Sequence, residues 1–469
     1  MQENGPFSWT PGAFQPTENK WSWHKLTNMV WVDQPVGSGF SQGNVTARNE
    51  QDVAKQFMGF WKNFMTAFSM QGYKVYVTGS SYSGLYCPYI SSAMLDANDK
   101  EFFDVRGMQV FDGAFSHPSL AEDLSVASFV QTWDHMLGFN DSIRTSIQKS
   151  AQTCGYTQYM NKYLTFPPSG LQPSILPGLN ANGSDFQKGC DLFTSVFLAG
   201  NEANACFSVY DVATGCPRKH DPLGFSDGTL SLTPGSGPAY FNRADVKAAI
   251  NAPANANWEF CATNPVFVNG VDESLLGGPG SMPVLPGVIE RTNNVIIGHG
   301  ERDMVLIADG TLMAIQNLTW GGKMGFQTVP SAPLYVPLHD NSFLQTAAGA
   351  GVAGTTHTER GLTYFGAAAT GHFLSSNAPA VAFRSLEVLL GRIPNFQSVL
   401  PFTTDVNATT QSIQSVDQMG NGTVRTGLLD EACAQASLGG GIKAAATEGG
   451  ASVLKSSMWM MGVFVLLIL

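Results

Sequence analysis

Tyr73-Lys-Val-Tyr-Val-Thr-Gly-Ser-Ser-Tyr-Ser-Gly84 is the stretch on which the reading of the whole chain turns. Its first six residues are rich in β-branched and aromatic side chains, the composition of a strand. They run into Gly79, and Tyr86 to Ala97 reads as a helix. Strand, sharp glycine-containing turn and helix together hold one side chain exposed at the tip of a sheet. Here that side chain is Ser81.

Two later stretches supply partners for it. Asn294-Val-Ile-Ile297 is a short strand leading to Gly300-Glu-Arg-Asp303, and Leu362-Thr-Tyr-Phe-Gly366 is a strand before Ala369-Thr-Gly-His372. A serine hydroxyl is a poor nucleophile until a base removes its proton. The base in turn needs a carboxylate to orient it and to stabilise the imidazolium that forms. Among 8 histidines a single Gly-His pair means little. In the order Ser, Asp, His, each at a strand end, the three spell an α/β-hydrolase: α/β class, a mostly parallel central sheet and an inserted cap.

The rest of the chain can be laid out around that triad. Met29-Val-Trp-Val-Asp33 reads as a buried strand closed by the turn Gln34-Pro-Val-Gly-Ser-Gly39. Asp52 to Ala67, with Val53, Phe57, Phe60, Trp61 and Phe64 apolar, has helical spacing, and 242–250, 310–320 and 378–390 read as further helices. Residues 1–116 form the first part of the core with the nucleophile turn. Residues 117–236 form a loop-rich cap with four cysteines and the Pro/Gly-rich run Pro167 to Gly178. Residues 237–395 form the second part of the core, with Asp303 and His372. Beyond it, 396–457 reads as a flexible Ser/Thr/Gly-rich stalk and 458–469 as a hydrophobic C-terminal signal. His299 is expected to sit beside the Asp turn rather than in the chemistry, and Trp21 and Trp23 to be packing residues.

Composition excludes some functions and suggests a compartment. A net charge of -11, with no basic run, argues against a nucleic-acid partner, because nothing is available to neutralise phosphates. The 7 cysteines (87, 154, 190, 206, 216, 261 and 433) lack zinc-site spacing, and no metal cluster or phosphate-cradling glycine loop stands out, so no metal and no cofactor is expected. Six Asn-x-Ser/Thr sequons, at Asn44, Asn140, Asn182, Asn317, Asn407 and Asn421, favour an oxidising secretory environment. Cys154, Cys190, Cys206 and Cys216 are expected to form cap disulfides, with three connectivities open. Met458 to Leu469 is an unbroken apolar run of 12 residues, short of the roughly twenty that span a membrane. Small residues Ala444-Ala-Ala446 and a polar spacer precede it, the ingredients of a GPI-attachment signal. Such a signal works only on a chain that enters the secretory pathway, yet Met1 to Phe7 has no positively charged start and no apolar run. The expectation is therefore that a segment upstream of Met1 is missing.

With these residues in view, the chain resembles the serine carboxypeptidases, and within them the fungal branch. The matching stretches are Glu3-Asn-Gly-Pro-Phe7, Val32 to Ser41, Val77 to Ile90, Tyr240 to Val246, Ile297 to Trp320 and His357 to Pro379. The resemblance spans about residues 1–395, and its Gln-Pro-Val-Gly loop and Gly-x-Ser-Tyr-x-Gly turn are its most specific motifs. It implies Ser81 as nucleophile, His372 as general base, Asp303 as its orienting carboxylate and the Tyr82 backbone N–H as one oxyanion donor. The implied substrates are peptide or protein C-termini. Together with the C-terminal signal read above, the expected setting is the secretory pathway, outside the cell or at its surface through a GPI anchor, with the vacuole as second choice.

The chain also departs from the family's pattern. Members carry Asn-Gly-Gly-Pro-Gly-Cys shortly before the stretch matching Glu3, and it supplies the second oxyanion donor. Without that segment the chain as it stands is expected to show little or no turnover, and Cys261 resembles the residue that would pair with its cysteine. Members also place Glu immediately before the nucleophile, sharing a proton with the residue matching Glu3; here that position is Ser80. Gly-His-Met-Val-Pro has become Gly371-His-Phe-Leu-Ser375, which puts Phe373 in the leaving-group pocket. Glu3, Ser80 and Phe373 are thus the implied substrate-binding positions. Two alternatives use the same sequence: an esterase or acyltransferase with this triad, and a non-catalytic relative.

Overall fold

The computed structural model of the chain describes residues 3–9, 15–217, 223, 239–275, 283–341, 345, 347–405 and 464–468. Its frame is an eight-stranded sheet. In chain order the elements that matter are β1 (Met29–Asp33), α1 (Glu50–Ala67), β2 (Lys74–Ser80), α2 (Ser83–Ala97) and β3 (Asp104–Phe111). After the cap come α3 (Leu285–Thr292), β4 (Val295–Gly300), α4 (Ala308–Gln316), β5 (Ala332–Val336) and β6 (Gly351–Glu359). They are followed by β7 (Leu362–Ala367), α5 (Pro379–Leu389) and β8 (Phe464–Ile468).

Strand order across the sheet is β1-β8-β2-β3-β4-β7-β6-β5. The centre is parallel: β2 pairs with β3, β3 with β4 and β4 with β7. β7, β6 and β5 form an antiparallel edge, and β8 runs antiparallel to both β1 and β2. The central strands are apolar almost throughout; all of Val295–Gly300 and Leu362–Ala367 are buried. That is what a parallel strand covered by helices on both faces requires. α1 shows why one covering helix forms: Asn49 caps it by accepting from the Asp52 N–H at 3.0 Å. Val53, Phe57, Trp61 and Met65 then bury one face at helical spacing.

Several expected boundaries move for local reasons. The helix expected over 310–320 is Ala308–Gln316, because Thr319–Trp320 turns into a two-residue strand against Lys323–Met324. The helix expected over 378–390 begins at Pro379 after a separate turn, Leu374–Asn377, because the first turn of a helix is where proline's missing N–H costs least. The described part of the 117–236 range holds six helices, between Pro118 and Ala203, joined by loops. Its disulfides are Cys154–Cys190 and Cys206–Cys216.

Two readings of the C-terminal third need correction. Residues 396–405, read as the start of a flexible stalk, pack on the core: Phe396 and Phe402 are buried, and Arg384 donates to the carbonyls of Ser398 and Leu400. A buried guanidinium needs acceptors, and this segment's backbone supplies them. Residues 406–457, the remainder of that reading, lie outside the described residues, as do Asn407, Asn421 and Cys433. The apolar terminal run contains β8, a strand inside the sheet, paired with Met29–Asp33 on one side and Tyr76–Thr78 on the other. Otherwise the facing edges of β1 and β2 would carry rows of unpaired backbone N–H and C=O groups.

Candidate active site

β2 ends at Ser80, and Ser81 takes a left-handed backbone with φ of 60° before α2 begins at Ser83. A serine held there costs about 1–3 kcal/mol, so the surroundings must enforce it. They do so through three backbone bonds of 2.9 Å: Ser81 N–H to Phe111 C=O, and Gly84 and Ala114 N–H to Ser81 C=O. The two flanking glycines are steric requirements. A Cβ on Gly79 would lie 2.3 Å from Ser83 Oγ, and one on Gly84 would lie 2.4 Å from the Ala114 nitrogen. Ser81 remains half-buried. Tyr82 is the N-cap of α2, where the first backbone N–H groups have no acceptor within the helix.

Asp303 and His372 sit just past the carboxyl ends of β4 and β7, the neighbouring strands in which Gly300 pairs with Ala367. Both are buried. Asp303 Oδ2 meets His372 Nδ1 at 2.7 Å, while Oδ1 accepts from the N–H groups of Val305 (2.8 Å) and Leu306 (3.3 Å). The carboxylate is thus fixed on both oxygens, and among the described residues His372 Nε2 has no hydrogen-bond partner. Burial pushes the His372 imidazole toward neutrality, but the charge and hydrogen bond of Asp303, then Asp112 and Glu3, outweigh it and hold it above the usual histidine range.

The cap ties this pair to itself. His372 N–H donates to Tyr210 C=O at 2.7 Å, and Met304 N–H donates to Val209 C=O at 2.8 Å. Arg302 pairs with Asp211 at 2.9 Å. One short segment, 209–212, therefore holds both the Asp loop and the His loop, and the Cys206–Cys216 bridge closes around it. Gly371 fits only as glycine, since its Cβ would lie 2.1 Å from the Tyr210 carbonyl oxygen. Phe373 packs with its ring centre 5.5 Å from that of Tyr210, tilted by 43°, beside His372.

Glu3 reaches the site through a short pinned segment. Asn19 donates to the carbonyls of Glu3 and Gly5, and Trp31 Nε1 donates to Asn4 Oδ1 at 3.0 Å. Burial raises the Glu3 carboxyl above the usual range, against the opposing charge of His372. Ser80, at the last position of β2, is half-buried.

Asp112 is a site neighbour that pattern reading missed. It follows β3 with φ of 46° and accepts from Gly300 N–H at 2.7 Å. Burial first, then the Asp303 charge, raises its carboxyl well above the usual range. The only sequence hint was its place after a strand that was itself not recognised. His299 is buried beside it, bonded to Thr311 at 2.8 Å, and burial holds its imidazole down to about 4, hence neutral. Asp112, His299 and Asp303 bring their polar atoms within 4.8 Å of one another. Both Asp303 oxygens are already taken by His372 and the backbone, so we read the group as a hydrogen-bonded support for the triad.

A strained serine at a strand–helix turn, with an Asp–His pair at the ends of neighbouring strands, is what nucleophilic acyl transfer needs. Comparison with known proteins agrees. A profile described as "Serine carboxypeptidase" matches residues 1–391. The chain belongs to the serine carboxypeptidase family. A probable serine carboxypeptidase of Arthroderma benhamiae is 44% identical over 403 residues, covering 84% of this chain and 74% of that protein. Serine-type carboxypeptidase F of Aspergillus niger is 42% identical over 412 residues, covering 84% and 75%. The solved Kex1(delta)p of Saccharomyces cerevisiae, titled a prohormone-processing carboxypeptidase, superposes with a TM-score of 0.57 at 18% identity. That likeness covers 84% of this chain and 81% of the yeast chain, and it shows the α/β fold that family members share.

Proposed function

We propose that the chain is a serine-type carboxypeptidase acting on peptides with a free C-terminal carboxylate through an acyl-enzyme on Ser81. The observation that carries this is the Asp303–His372 bond of 2.7 Å, with His372 Nε2 open among the described residues, just past the ends of β4 and β7, two and three strands along the sheet from the Ser81 strand. His372 Nε2 takes the Ser81 proton as Oγ attacks the scissile carbonyl. The Tyr82 N–H, at the positive end of α2, receives charge developing on the carbonyl oxygen. The base then returns its proton to the departing amine, and the C-terminal amino acid leaves. Water activated by the same histidine releases the acyl group.

Glu3, Ser80 and Phe373 are the groups we assign to the substrate's C-terminal residue. A carboxyl kept protonated, as burial favours for Glu3, donates a hydrogen bond to a carboxylate rather than repelling it. Ser80 contributes a hydroxyl and no second acid, so the grip rests on one carboxyl. The esterase or acyltransferase reading has no observation of its own to favour it.

Setting is proposed from the same features that suggested it. The sequons at Asn44, Asn140 and Asn182 are exposed and Asn317 is half-buried, which suits a glycosylated protein of the secretory pathway. Lipid attachment of the GPI kind would remove the terminal run, whereas β8 keeps it in the sheet. The two states exclude each other, and the mass of the mature C-terminal peptide separates them.

The test is release of a free amino acid from a blocked dipeptide, with fluorophosphonate labelling of the same sample. Hydrolysis and labelling that both vanish in Ser81→Ala support the reading. Hydrolysis of activated esters with no amino acid released from peptides would overturn it in favour of an esterase.

A further inference from the structure

The residue behind the proposed oxyanion donor has an anchor of its own, distant in sequence. The Tyr82 hydroxyl, buried, donates to Asp272 Oδ2 at 2.9 Å. Asp272 Oδ1 accepts from Ser274 N–H at 2.9 Å, and Ser274 Oγ accepts from Glu50 N–H at 2.8 Å. Glu50, the first residue of α1, is 0% exposed, and no N–H or O–H among the described residues reaches either of its carboxylate oxygens. Its carboxyl faces that of Asp272. Three separate stretches thus converge behind the nucleophile turn: the start of α1, the 272–274 loop and the start of α2.

Two buried carboxyls cannot approach each other as anions, and no cation of the described chain acts on Glu50. Arg48 pairs with Glu273 at 3.7 Å, and both side chains are exposed. The other titratable groups facing Glu50 are Tyr82, Tyr86, Tyr89 and Cys87 of α2, all neutral in this setting. Burial first, then the charge and hydrogen bond of Asp272, raises the Glu50 carboxyl well above the usual range. One proton shared between the two acids satisfies the pair and leaves Asp272 Oδ2 as the acceptor for Tyr82.

We propose that Glu50 and Asp272 are positioning residues that act through the Tyr82 hydroxyl to fix the backbone N–H of Tyr82 against the developing oxyanion. This rests on the serine-hydrolase reading above and adds to it two residues outside the triad. The anchor works only while the pair keeps its proton. Above the pH at which Glu50 ionises, two buried anions repel, the 272–274 loop moves off, and the donor loses its fixed place. Activity should therefore have an alkaline limb that is separate from the titration of His372.

The experiment measures kcat and KM on a blocked dipeptide across pH for the wild type, Tyr82→Phe, Asp272→Ala, their double variant, Glu50→Ala and Glu50→Gln. Tyr82→Phe and Asp272→Ala should each lower kcat about tenfold with KM little changed, as expected when a transition-state interaction loosens. The double variant should be no worse than the poorer single one, because both remove the same bond. Glu50→Gln, a neutral donor of the same shape, should recover what Glu50→Ala loses and flatten the alkaline limb. Wild-type kcat in Tyr82→Phe and Asp272→Ala with only the melting temperature lowered would overturn the proposal, as would an unchanged alkaline limb in Glu50→Gln. A wild type that neither hydrolyses peptide nor labels with fluorophosphonate defeats the hydrolase reading and this inference together. An active wild type with indifferent variants defeats the inference alone.

Discussion

Ser80 stands one residue before the proposed nucleophile, at the last position of β2, while Glu3 reaches the same site on a separate pinned segment. A lone carboxyl raised by burial grips a substrate carboxylate only while protonated, so the family's usual second acid has a direct consequence. Ser80→Glu should lower KM for peptides with a free C-terminus at about pH 5 more than at about pH 7, while C-terminally amidated peptides stay unaffected. A gain equal at both pH values, read from paired KM measurements, would remove Glu3 and position 80 from the carboxylate grip. The base titrates in the opposite sense. His372 lies above the usual histidine range, and as the proposed general base it must be neutral, so kcat/KM should rise with pH through that raised value. Asp303→Asn should cost about 10³–10⁴ in kcat, since it removes the carboxylate that sets the imidazole's tautomer. Single-turnover kinetics on an activated ester would read that loss without the leaving amine.

At the scale of elements, the cap segment 209–212 belongs to the catalytic apparatus as much as β4 and β7 do. It accepts from His372 and Met304 and pairs Asp211 with Arg302, and the Cys206–Cys216 bridge closes a sequence separation of only 10 residues around it. Closing so short a loop is worth about 2–3 kcal/mol in the chain-entropy picture. Replacing both cysteines by serine should lower kcat several-fold, with the same variant at Cys154 and Cys190 lowering the melting temperature and sparing kcat. Comparable kcat losses for both pairs would mean that the cap acts as one rigid unit. A second element-scale device joins the 339–340 loop to residues 402–405. Asp405 is buried beside Asp340 and His339, and burial first, then the hydrogen bond and charge of Asp340, raises its carboxyl to about 7. A carboxyl raised above its ordinary value stabilises the fold below that value and loses this as pH climbs toward 7. Asp405→Asn should therefore flatten the fall of melting temperature between about pH 4 and pH 7. A parallel fall in the variant would show that other groups carry it.

Across the whole molecule, the sheet is continuous because β8, from the far end of the chain, lies between β1 and β2. Each of its two neighbours then has hydrogen bonds along that edge, and β2 is the strand that carries Ser81. Deleting residues 464–469 should strip amide protection from β1 and β2 and slow fluorophosphonate labelling, both readable in one hydrogen-exchange mass spectrum of labelled protein. Unchanged protection would mean that those edges find another cover. The same long-range economy appears at Arg384, fully buried, whose two terminal nitrogens donate to Glu387 and to the carbonyls of Ser398 and Leu400. A segment whose composition reads as a stalk is held by the acceptors it offers to one buried charge.

Residue spacing alone was enough for the parallel centre, the turn at Ser81 and the Asp303 and His372 positions. Each is a short apolar strand followed by a glycine that close backbone approach demands, and such signals are local. β3, β5 and β6 escaped that reading because their sequences, such as Gly351-Val-Ala-Gly-Thr-Thr-His-Thr-Glu359, carry no strong alternation and become strands only by pairing. Asp112, Glu50, Asp272 and Tyr210 were invisible for a related reason. Their roles depend on which buried groups meet across separations such as the 190 residues between Tyr82 and Asp272, and a carboxyl's charge state follows from its company. The sequence by itself determined the chemistry on offer and the strand ends that present it. Only the tertiary structure decided which acids share a proton, which cap carbonyl holds the base, and where the terminal apolar run finds its partners.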